Sequence, residues 1–372
     1  MKKKVLFVAT VLRGHVWVFH LPYMQWFESQ GYEVHVACSN DTEEEVLTLP
    51  HCTKYFNLPF ARSPFNSDNI KVYKTLSKLI DKEEYSLIHC HTPVGGLIGR
   101  LAARKARKKG TKVVYTAHGF HFYKGASIKN WLLYYPAERY LSRYTDLLVT
   151  INQEDYNHAK NFHAKKVVLV QGIGVALPPF EKSFDKVALR NSLALKEDWQ
   201  LAITVGEHSI RKNHAVLLHA INKNKNYHLL LCGVGEEKTN LINLAKDLQI
   251  EDRVHFLGFR KDVQQVLQLC NVFLFPSLHE GLPLSLMEAM AAGLPIIASD
   301  VRGNRDLVIP QKGGYLVNPT DANAIATNLN YLLENPTLAK NMGIFNKEKI
   351  KDYSLENILK HMATLYNELL GS

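Results

Sequence analysis

The 372-residue sequence is sparing with cysteine and has no long apolar run, and each shortage excludes something. Its five cysteines, Cys38, Cys52, Cys90, Cys232 and Cys270, are odd in number and widely spaced, and several lie in apolar, strand-like runs such as Leu229-Leu230-Leu231-Cys232. This argues against a disulfide framework and for buried thiols in a reducing compartment. The triplet His89-Cys90-His91 has the residue types of a metal site, but alternation along a strand turns Cys90 away from the two histidines. No second cluster completes four ligands, so no zinc site is expected. No segment approaches the roughly 18 uninterrupted apolar residues of a spanning helix. The apolar run at 5–10 follows Lys2-Lys3-Lys4 but is too short for a signal-peptide core and runs into Arg13 and His15. The expectation is a cytoplasmic protein, neither secreted nor integral to a membrane.

With 46% hydrophobic and 22% charged residues, the chain has enough apolar material for a large core, and its length favours two domains. The net charge of +10 is unevenly placed: residues 1–180 hold 24 Lys and Arg against 14 Asp and Glu, whereas residues 181–372 hold 21 of each. The densest basic run, RLAARKARKKGTK at 100–112, reads as a helix end with a cationic tip. It is either a solvated face with Lys108 and Lys109 stabilising the helix C-terminus ahead of Gly110, or a patch drawn to anionic lipid headgroups. No recognised nucleic-acid-binding motif accompanies it, and no nucleic-acid partner is expected.

Short β-branched or apolar runs alternate with helical patterns from the first residue, at 5–10, 33–38, 87–91, 113–118, 147–151 and 167–171. A break follows at Gly172-Ile173-Gly174 and Pro178-Pro179, and the pattern restarts at 201–206, 228–233, 254–257, 272–276, 296–299 and 314–317. Strands alternating with helices imply parallel sheets with crossover helices. The expectation is therefore an α/β protein of two Rossmann-like domains, 1–178 and 179–352. A C-terminal helix at 353–372 places Leu355, Ile358, Leu359, Met362, Leu365, Tyr366 and Leu369 at helical spacing and is expected to pack back on the first domain. No sequence period signals a solenoid. Ligands of such sheets sit beyond the carboxyl ends of the strands, and two of them are expected to face across a cleft, one holding each substrate. Gly233-Val234-Gly235 lacks the third glycine and the following acid of a dinucleotide fingerprint.

The most informative segment is FPSLHEGLPLSLMEAMAAGLP at 275–295. A strand is expected to end at Pro276, a turn carries Glu280 and Gly281, and Pro283 suits the first helical turn, where its missing N–H costs nothing. A helix that starts at the carboxyl edge of a sheet offers free amides and a positive dipole end, a site for a diphosphate. Glu280 precedes that end, while Glu288 lies about 9 Å along the helix from Leu282 at ~1.5 Å per residue. The spacing suits a diphosphate flanked by two polyols, with Glu288 on a ribose and Glu280 on a transferred sugar. Met287, Ala289, Met290, Ala291 and Ala292 around Glu288 argue against a freely exposed acid.

Two glutamates with seven residues between them, in EGLPLSLMEAMAAGLP, resemble the retaining nucleotide-sugar glycosyltransferases of family four, whose two Rossmann domains face each other (GT-B type). The likeness extends through FHLPYMQWFESQGYEVHVA, LPFARSPFN, YSLIHCHTPVGGLIGRLAARKA, YTAHGFHFYKGASIKNWLLYYPAERYLSRYTDLLVT, VGEHSIRKNH and RVHFLGFRKDV, essentially the whole chain. The middle of the first domain resembles the branch acting in capsule and exopolysaccharide assembly. That resemblance implies a UDP-sugar donor of the hexose or N-acetylhexosamine class and an acceptor linked to undecaprenyl diphosphate. The enzyme would then work peripherally on the inner face of the cell membrane.

Position by position, the resemblance places the donor lysine at Lys212, before a helix capped by Asn213, where it neutralises the leaving phosphate. Glu207 stands where relatives carry an arginine and must turn away or pair with Arg211, which becomes the replacement cation. His118 matches the family's histidine at the donor sugar and reacting phosphate. Gly14, in a first loop with one glycine where many relatives have two, contacts phosphate. Phe259 and Arg260 fall where the family packs its nucleobase, and Gly281, Leu282, Pro283 and Leu284 form the diphosphate-binding helix start. No Asp-x-Asp pair occurs, so no metal or other cofactor is expected, and cations with helix amides carry that work. The resemblance implies retention by front-face attack, the departing phosphate oxygen taking the acceptor's proton, with Glu280 orienting sugar hydroxyls. Two other readings stand beside this one: a nucleotide-sugar epimerase on the same scaffold, and a non-catalytic basic protein that binds membrane or polysaccharide.

Overall fold

The computed structural model describes residues 3–42, 48–174 and 184–371. The chain forms two compact units, Met1–Gly174 with Glu356–Ser372, and Val175–Leu355. The break expected at Pro178-Pro179 lies outside the described residues.

The first unit is built on a seven-stranded parallel sheet: β1 (Lys4–Val11), β2 (Glu33–Ser39), β3 (Lys54–Asn57), β4 (Leu87–Cys90), β5 (Lys112–Ala117), β6 (Leu147–Thr150) and β7 (Lys166–Leu169). Their spatial order is β3-β2-β1-β4-β5-β6-β7. Both faces are covered, so the central strands are apolar on both sides. In β1, Leu6 and Val8 join the core on one face, and Val5, Phe7 and Ala9 the core on the other. Strand β3 is absent from the sequence expectation, because KYFN at the sheet edge carries no apolar run and is only half-buried.

The second unit repeats the plan with β8 (Gln200–Val205), β9 (Tyr227–Cys232), β10 (Val254–Gly258), β11 (Val272–Phe275), β12 (Ile296–Ser299) and β13 (Gly314–Val317), in the order β10-β9-β8-β11-β12-β13. All six strands match the sequence expectation to within a residue or two. Gly233 and Gly235 serve close packing rather than a dinucleotide: a Cβ on Gly233 would stand 1.9 Å from the Gly206 carbonyl oxygen, and one on Gly235 2.3 Å from that of His208. All five cysteines are free, three of them buried and two half-buried.

The helix Leu355–Leu370 belongs to the first unit apart from its first residue. Ile358, Met362, Leu365 and Tyr366, on one helical stripe, enter that unit's core, and the Tyr366 hydroxyl pairs with His89 Nδ1 at 2.9 Å. In each sheet the order reverses between the first and fourth strands of the unit, β1/β4 and β8/β11. The carboxyl ends of those strands are where an open α/β sheet binds its ligand.

Candidate active site

In the second unit, a loop after β8 leads into a short 3-10 turn, Ile210–Lys212, and a loop after β11 leads to the helix Leu284–Ala292. The two loops meet at one carboxylate: Glu280 Oε1 accepts from Arg211 at 2.7 Å and from Lys212 Nζ at 2.8 Å. Glu280 and Lys212 are each only 8% exposed. Lys212 also lies over the Phe275 ring, 4.6 Å from its centroid. Burial pushes its amine below the ordinary lysine range, and Glu280 pulls it back up. A buried charge pair of this kind persists because each member is compensated.

The helix Leu284–Ala292 starts behind Pro283 with no side chain capping it, so its first amides and positive dipole end are available to an anion. Gly281 and Leu282 lead into that start against Gly303, whose Cβ would stand 2.3 Å from the Gly281 carbonyl oxygen. Glu288 projects from the same helix, half-buried and without a hydrogen bond or ion pair among the described residues. Burial pushes its carboxyl up from 4.5 to about 7.

Several expectations are corrected. Of the two alternatives for Glu207, it is the turning away that holds: Glu207 is exposed, and Arg211 pairs with Glu280. Asn213 does not cap the following helix: it sits in the left-handed region at φ +55 and donates to the carbonyls of Pro276 and Pro319. It thereby ties the lysine turn to the strand end beneath Glu280. Arg302, which the sequence reading missed, is buried and donates to the Glu280 carbonyl at 2.9 Å. Its signal lay only in a partner 22 residues away. Phe259 is an exposed aromatic after β10, open for stacking, whereas the Arg260 side chain is taken by Asp262 at 2.8 Å.

In the first unit, residues Leu12–Trp17 after β1 form a π turn rather than an open loop. The amides of Arg13 and Gly14 are occupied by Asp41, at 2.6 and 3.2 Å, so Gly14 offers no free N–H of the kind the resemblance implied. His118 follows β5 and is part of a cluster. His15, His20, His91 and His118 bring one ring nitrogen each to within 4.8 Å of one another. Burial pushes His15 down to about 4 and His20, His91 and His118 well below the ordinary histidine range, so all four are neutral at pH 7. The sequence reading saw His89-Cys90-His91 and found no complement. The complement comes from the strand ends of β1 and β5, which flank β4 in the sheet but not in the sequence.

The basic run also resolves into parts. Arg100 is fully buried, stacked 3.9 Å from the Tyr115 ring and paired with Glu138 at 2.8 Å. Arg107 makes two 3.0 Å bonds to the buried Asp146. Arg104 donates to the Tyr73 hydroxyl. Lys105, Lys108 and Lys109 are exposed. Of the aromatics at 131–144, Trp131, Tyr134 and Tyr135 pack against the core while Tyr140 is exposed, as are Ile128, Leu132 and Leu133 of the same helix, Ile128–Leu141.

Residues 4–152 match the family model described as glycosyl transferase 4-like, and residues 185–349 match that of glycosyl transferases group 1. A Bacillus subtilis (strain 168) protein, EpsD, assigned as a glycosyltransferase, is 40% identical over 375 residues, covering 99% of this chain and 97% of the relative. The Escherichia coli UDP-Gal:alpha-D-GlcNAc-diphosphoundecaprenol alpha-1,3-galactosyltransferase is 31% identical over 316 residues, 80% of either chain. Among solved structures, Anabaena HepE in complex with UDP and glucose superposes with a TM-score of 0.81 at 19% identity, covering 98% of this chain and all of that one. Relatives of this kind over the whole length set aside the epimerase and the non-catalytic readings. The chain belongs to the family-four, group 1 glycosyltransferases and carries their GT-B fold, two Rossmann-like units in one polypeptide.

Proposed function

We propose that this glycosyltransferase moves a hexose or N-acetylhexosamine from a UDP-sugar to a saccharide on undecaprenyl diphosphate, with retention of anomeric configuration, in capsule or exopolysaccharide synthesis. The observation that carries the donor half is the convergence of Arg211 and Lys212 on Glu280 at the uncapped start of the helix Leu284–Ala292. Before donor binds, Glu280 is the counter-ion of both cations. A diphosphate arriving at the helix start supplies a stronger one, and Glu280 is released to accept from sugar hydroxyls. As the bond to the anomeric carbon breaks, charge grows on the leaving phosphate, where Lys212, Arg211 and the helix amides stabilise it. Glu280 is engaged by two cations, which favours an orienting role over that of a nucleophile and so front-face attack. Glu288, unpartnered among the described residues and about one turn along the same helix from its start, accepts from the ribose diol, and Phe259 stacks on the base. The role of His118 at the donor rests on the resemblance.

The acceptor half is supported by the E. coli relative, whose name specifies a diphosphoundecaprenol substrate. A cavity of about 280 Å³ in the first unit adds to it, lined by Arg62, Phe65, Leu97, Gly119, Leu133 and Tyr134 among others. It joins apolar wall to a cation beside the strand end that carries His118. No helix among the described residues is long and apolar enough to cross a membrane, so contact with such an acceptor would be peripheral.

Calorimetry with UDP, GDP and ADP, followed by turnover of a panel of UDP-sugars on synthetic lipid-diphosphate sugars, tests the proposal. UDP is expected to bind selectively and the product to keep the donor's anomeric configuration by NMR. Absence of UDP binding at millimolar concentration would overturn the donor assignment, and an inverted product the mechanism.

A further inference from the structure

The proposed function leaves His15, His20 and His91 of the first unit without a task. We propose that His15, His20, His91 and His118 form a structural site for one divalent transition-metal ion of the zinc class, closed by four imidazole nitrogens.

Geometry is the first support. Tetrahedral zinc with nitrogen at about 2.0–2.1 Å holds its ligand atoms roughly 3.3–3.4 Å apart and imidazole centroids about 5 Å apart. His91 Nδ1 and His118 Nε2 already stand at 3.4 Å. The six centroid separations within the cluster run from 3.7 Å, between His20 and His91, to 5.9 Å, between His15 and His91. Drawing the four nitrogens in from 4.8 Å requires the stacked His20 and His91 rings, 3.7 Å apart, to separate towards about 5 Å.

Unmet hydrogen bonding is the second. His20 is 1% exposed and neither of its ring nitrogens has a partner; His15 Nε2 and His91 Nε2 are likewise buried without one. A neutral imidazole carries one donor and one acceptor, and buried polar groups are normally satisfied. His89 shows that this region can satisfy a buried histidine. On the same face of β4 as His91, it pairs with Thr116 at 2.8 Å and Tyr366 at 2.9 Å, which leaves it no nitrogen for a metal. A cavity of about 10 Å³ bordered by His20, His91, Tyr23 and Thr116 is at the lower limit for one water, the kind of partner that a metal-bound imidazole needs for its other nitrogen.

The backbone is the third. The i→i+5 bonding of a π turn at Leu12–Trp17 precedes the helix Leu21–Ser29 and brings His15 within 4.9 Å of His20, centroid to centroid. Thr92, directly after His91, is held at φ +60, an uncommon conformation for threonine, by a 3.0 Å bond from the Thr10 amide to its hydroxyl. These features fix at one point two side chains from the segment between β1 and the helix Leu21–Ser29 and one each from the residues that follow β4 and β5. A four-nitrogen, thiolate-free set suits zinc, and four protein ligands close the coordination sphere, the mark of a structural site. Ligation of His118 through Nε2 leaves its Nδ1 free, so the inference stands whether or not His118 also meets the donor.

The test uses the full, untagged chain. After exhaustive chelation and dialysis against micromolar zinc, elemental analysis is expected to find about one zinc per chain in the wild type. Cobalt in its place is expected to give the intense visible bands of tetrahedral coordination. His15→Gln and His20→Gln should each weaken zinc binding at least ten-fold while UDP binding persists. His208→Gln, in a histidine pair of the second unit (3.2 Å from His214), should keep full stoichiometry. Should the variants fail to fold, the wild type alone decides: zinc should raise, and chelation lower, its Tm. Wild-type chain that binds no zinc at these concentrations, variants that bind as well as wild type, or octahedral cobalt bands would overturn the proposal.

Discussion

The two sheets share one strand order, and at the same topological point in each the chain has placed opposite chemistry. Beyond β8 and β11, two cations share one carboxylate. Beyond β1, β4 and β5, four uncharged imidazoles crowd together, with no acidic side chain among them and several nitrogens unmet. One fold thus fixes where a ligand goes, while the loops fix what kind. On the proposed reading, the second unit takes an anion that displaces Glu280. The first, neutral and desolvated, is built for something that takes nitrogen lone pairs or for close apolar contact. The predictions below probe that contrast.

Lys212→Ala should give the largest effect. It removes the buried ammonium at the leaving phosphate, and loss of one such group costs about 10²–10³ in turnover. The donor KM should move far less, since the charge it meets is greatest in the transition state. Steady-state kinetics with the best UDP-sugar decides. A change confined to KM would make Lys212 a ground-state contact and remove the catalytic half of the comparison.

Glu288→Ala should weaken UDP binding about 10- to 100-fold, the ~1.5–3 kcal/mol of a charged hydrogen bond. Its pH behaviour is a sharper signature. The carboxyl sits at about 7 rather than 4.5, so the folded protein holds a proton that the unfolded chain has released between those values. Stability contributed at this position therefore falls as pH rises from about 4.5 to about 7. Hydroxyl donors favour the ionised form, so binding expels the proton and UDP affinity should climb with pH up to about 7 and then level. In Glu288→Gln that component should vanish, leaving only the titration of UDP itself. Calorimetry across pH 5.5–8.5 on both proteins checks it, and parallel profiles would mean that Glu288 does not meet the ribose.

Glu280→Gln should act in two directions. With their counter-ion gone, Arg211 and Lys212 are uncompensated in the free enzyme, so UDP should bind about five- to ten-fold tighter, a gain of ~1–1.4 kcal/mol. Turnover should fall because sugar hydroxyls lose their acceptor. Weaker UDP binding instead would show that Glu280 holds the loop in place rather than standing in for the diphosphate.

What could be read from the sequence follows the range of the interactions involved. Twelve of the thirteen strands are legible because each carries an apolar or β-branched run, the edge strands β7, β10 and β13 included, whereas KYFN in β3 carries none. The donor segment is legible because Glu280, the helix start and Glu288 lie on one continuous stretch. Asn213 was misplaced because its side chain bonds to Pro276 and Pro319, 63 and 106 residues away, and distant carbonyls leave no local trace. The histidine cluster escaped for the same reason. Its members lie at the ends of strands that the sequence does locate, but only the neighbour order β1-β4-β5 and the π turn at Leu12–Trp17 bring them together.

The smallest expected effect concerns the surface of the first unit, where the excess positive charge of the sequence lies. Arg100 and Arg107 are not available to a membrane: one is buried under Tyr115 and the other neutralises Asp146. Burial pushes the Asp146 carboxyl up, but Arg107, the Val113 amide and Lys165 outweigh it and hold the carboxyl below its usual range. Replacing Arg107 would leave the buried Asp146 with Lys165 as its remaining cation, and the lost stability would confuse unfolding with undocking. The informative variant is therefore Lys105, Lys108 and Lys109→Ala, three exposed cations each contributing ~1 kcal/mol or less near an anionic surface. We expect it to reduce co-sedimentation with anionic vesicles about three- to ten-fold at low salt, and hardly at all at high salt, where these charges are screened. Ile128 and Leu132 are 77% and 74% exposed, and Ser at both should lower binding to anionic and neutral vesicles alike, since apolar insertion is indifferent to salt. If the lysine variant sediments like wild type while the serine variant does not, docking is apolar and the basic run is a solvated helix end. If neither differs from wild type, this face does not meet the membrane, and the acceptor must be reached from another side of the unit.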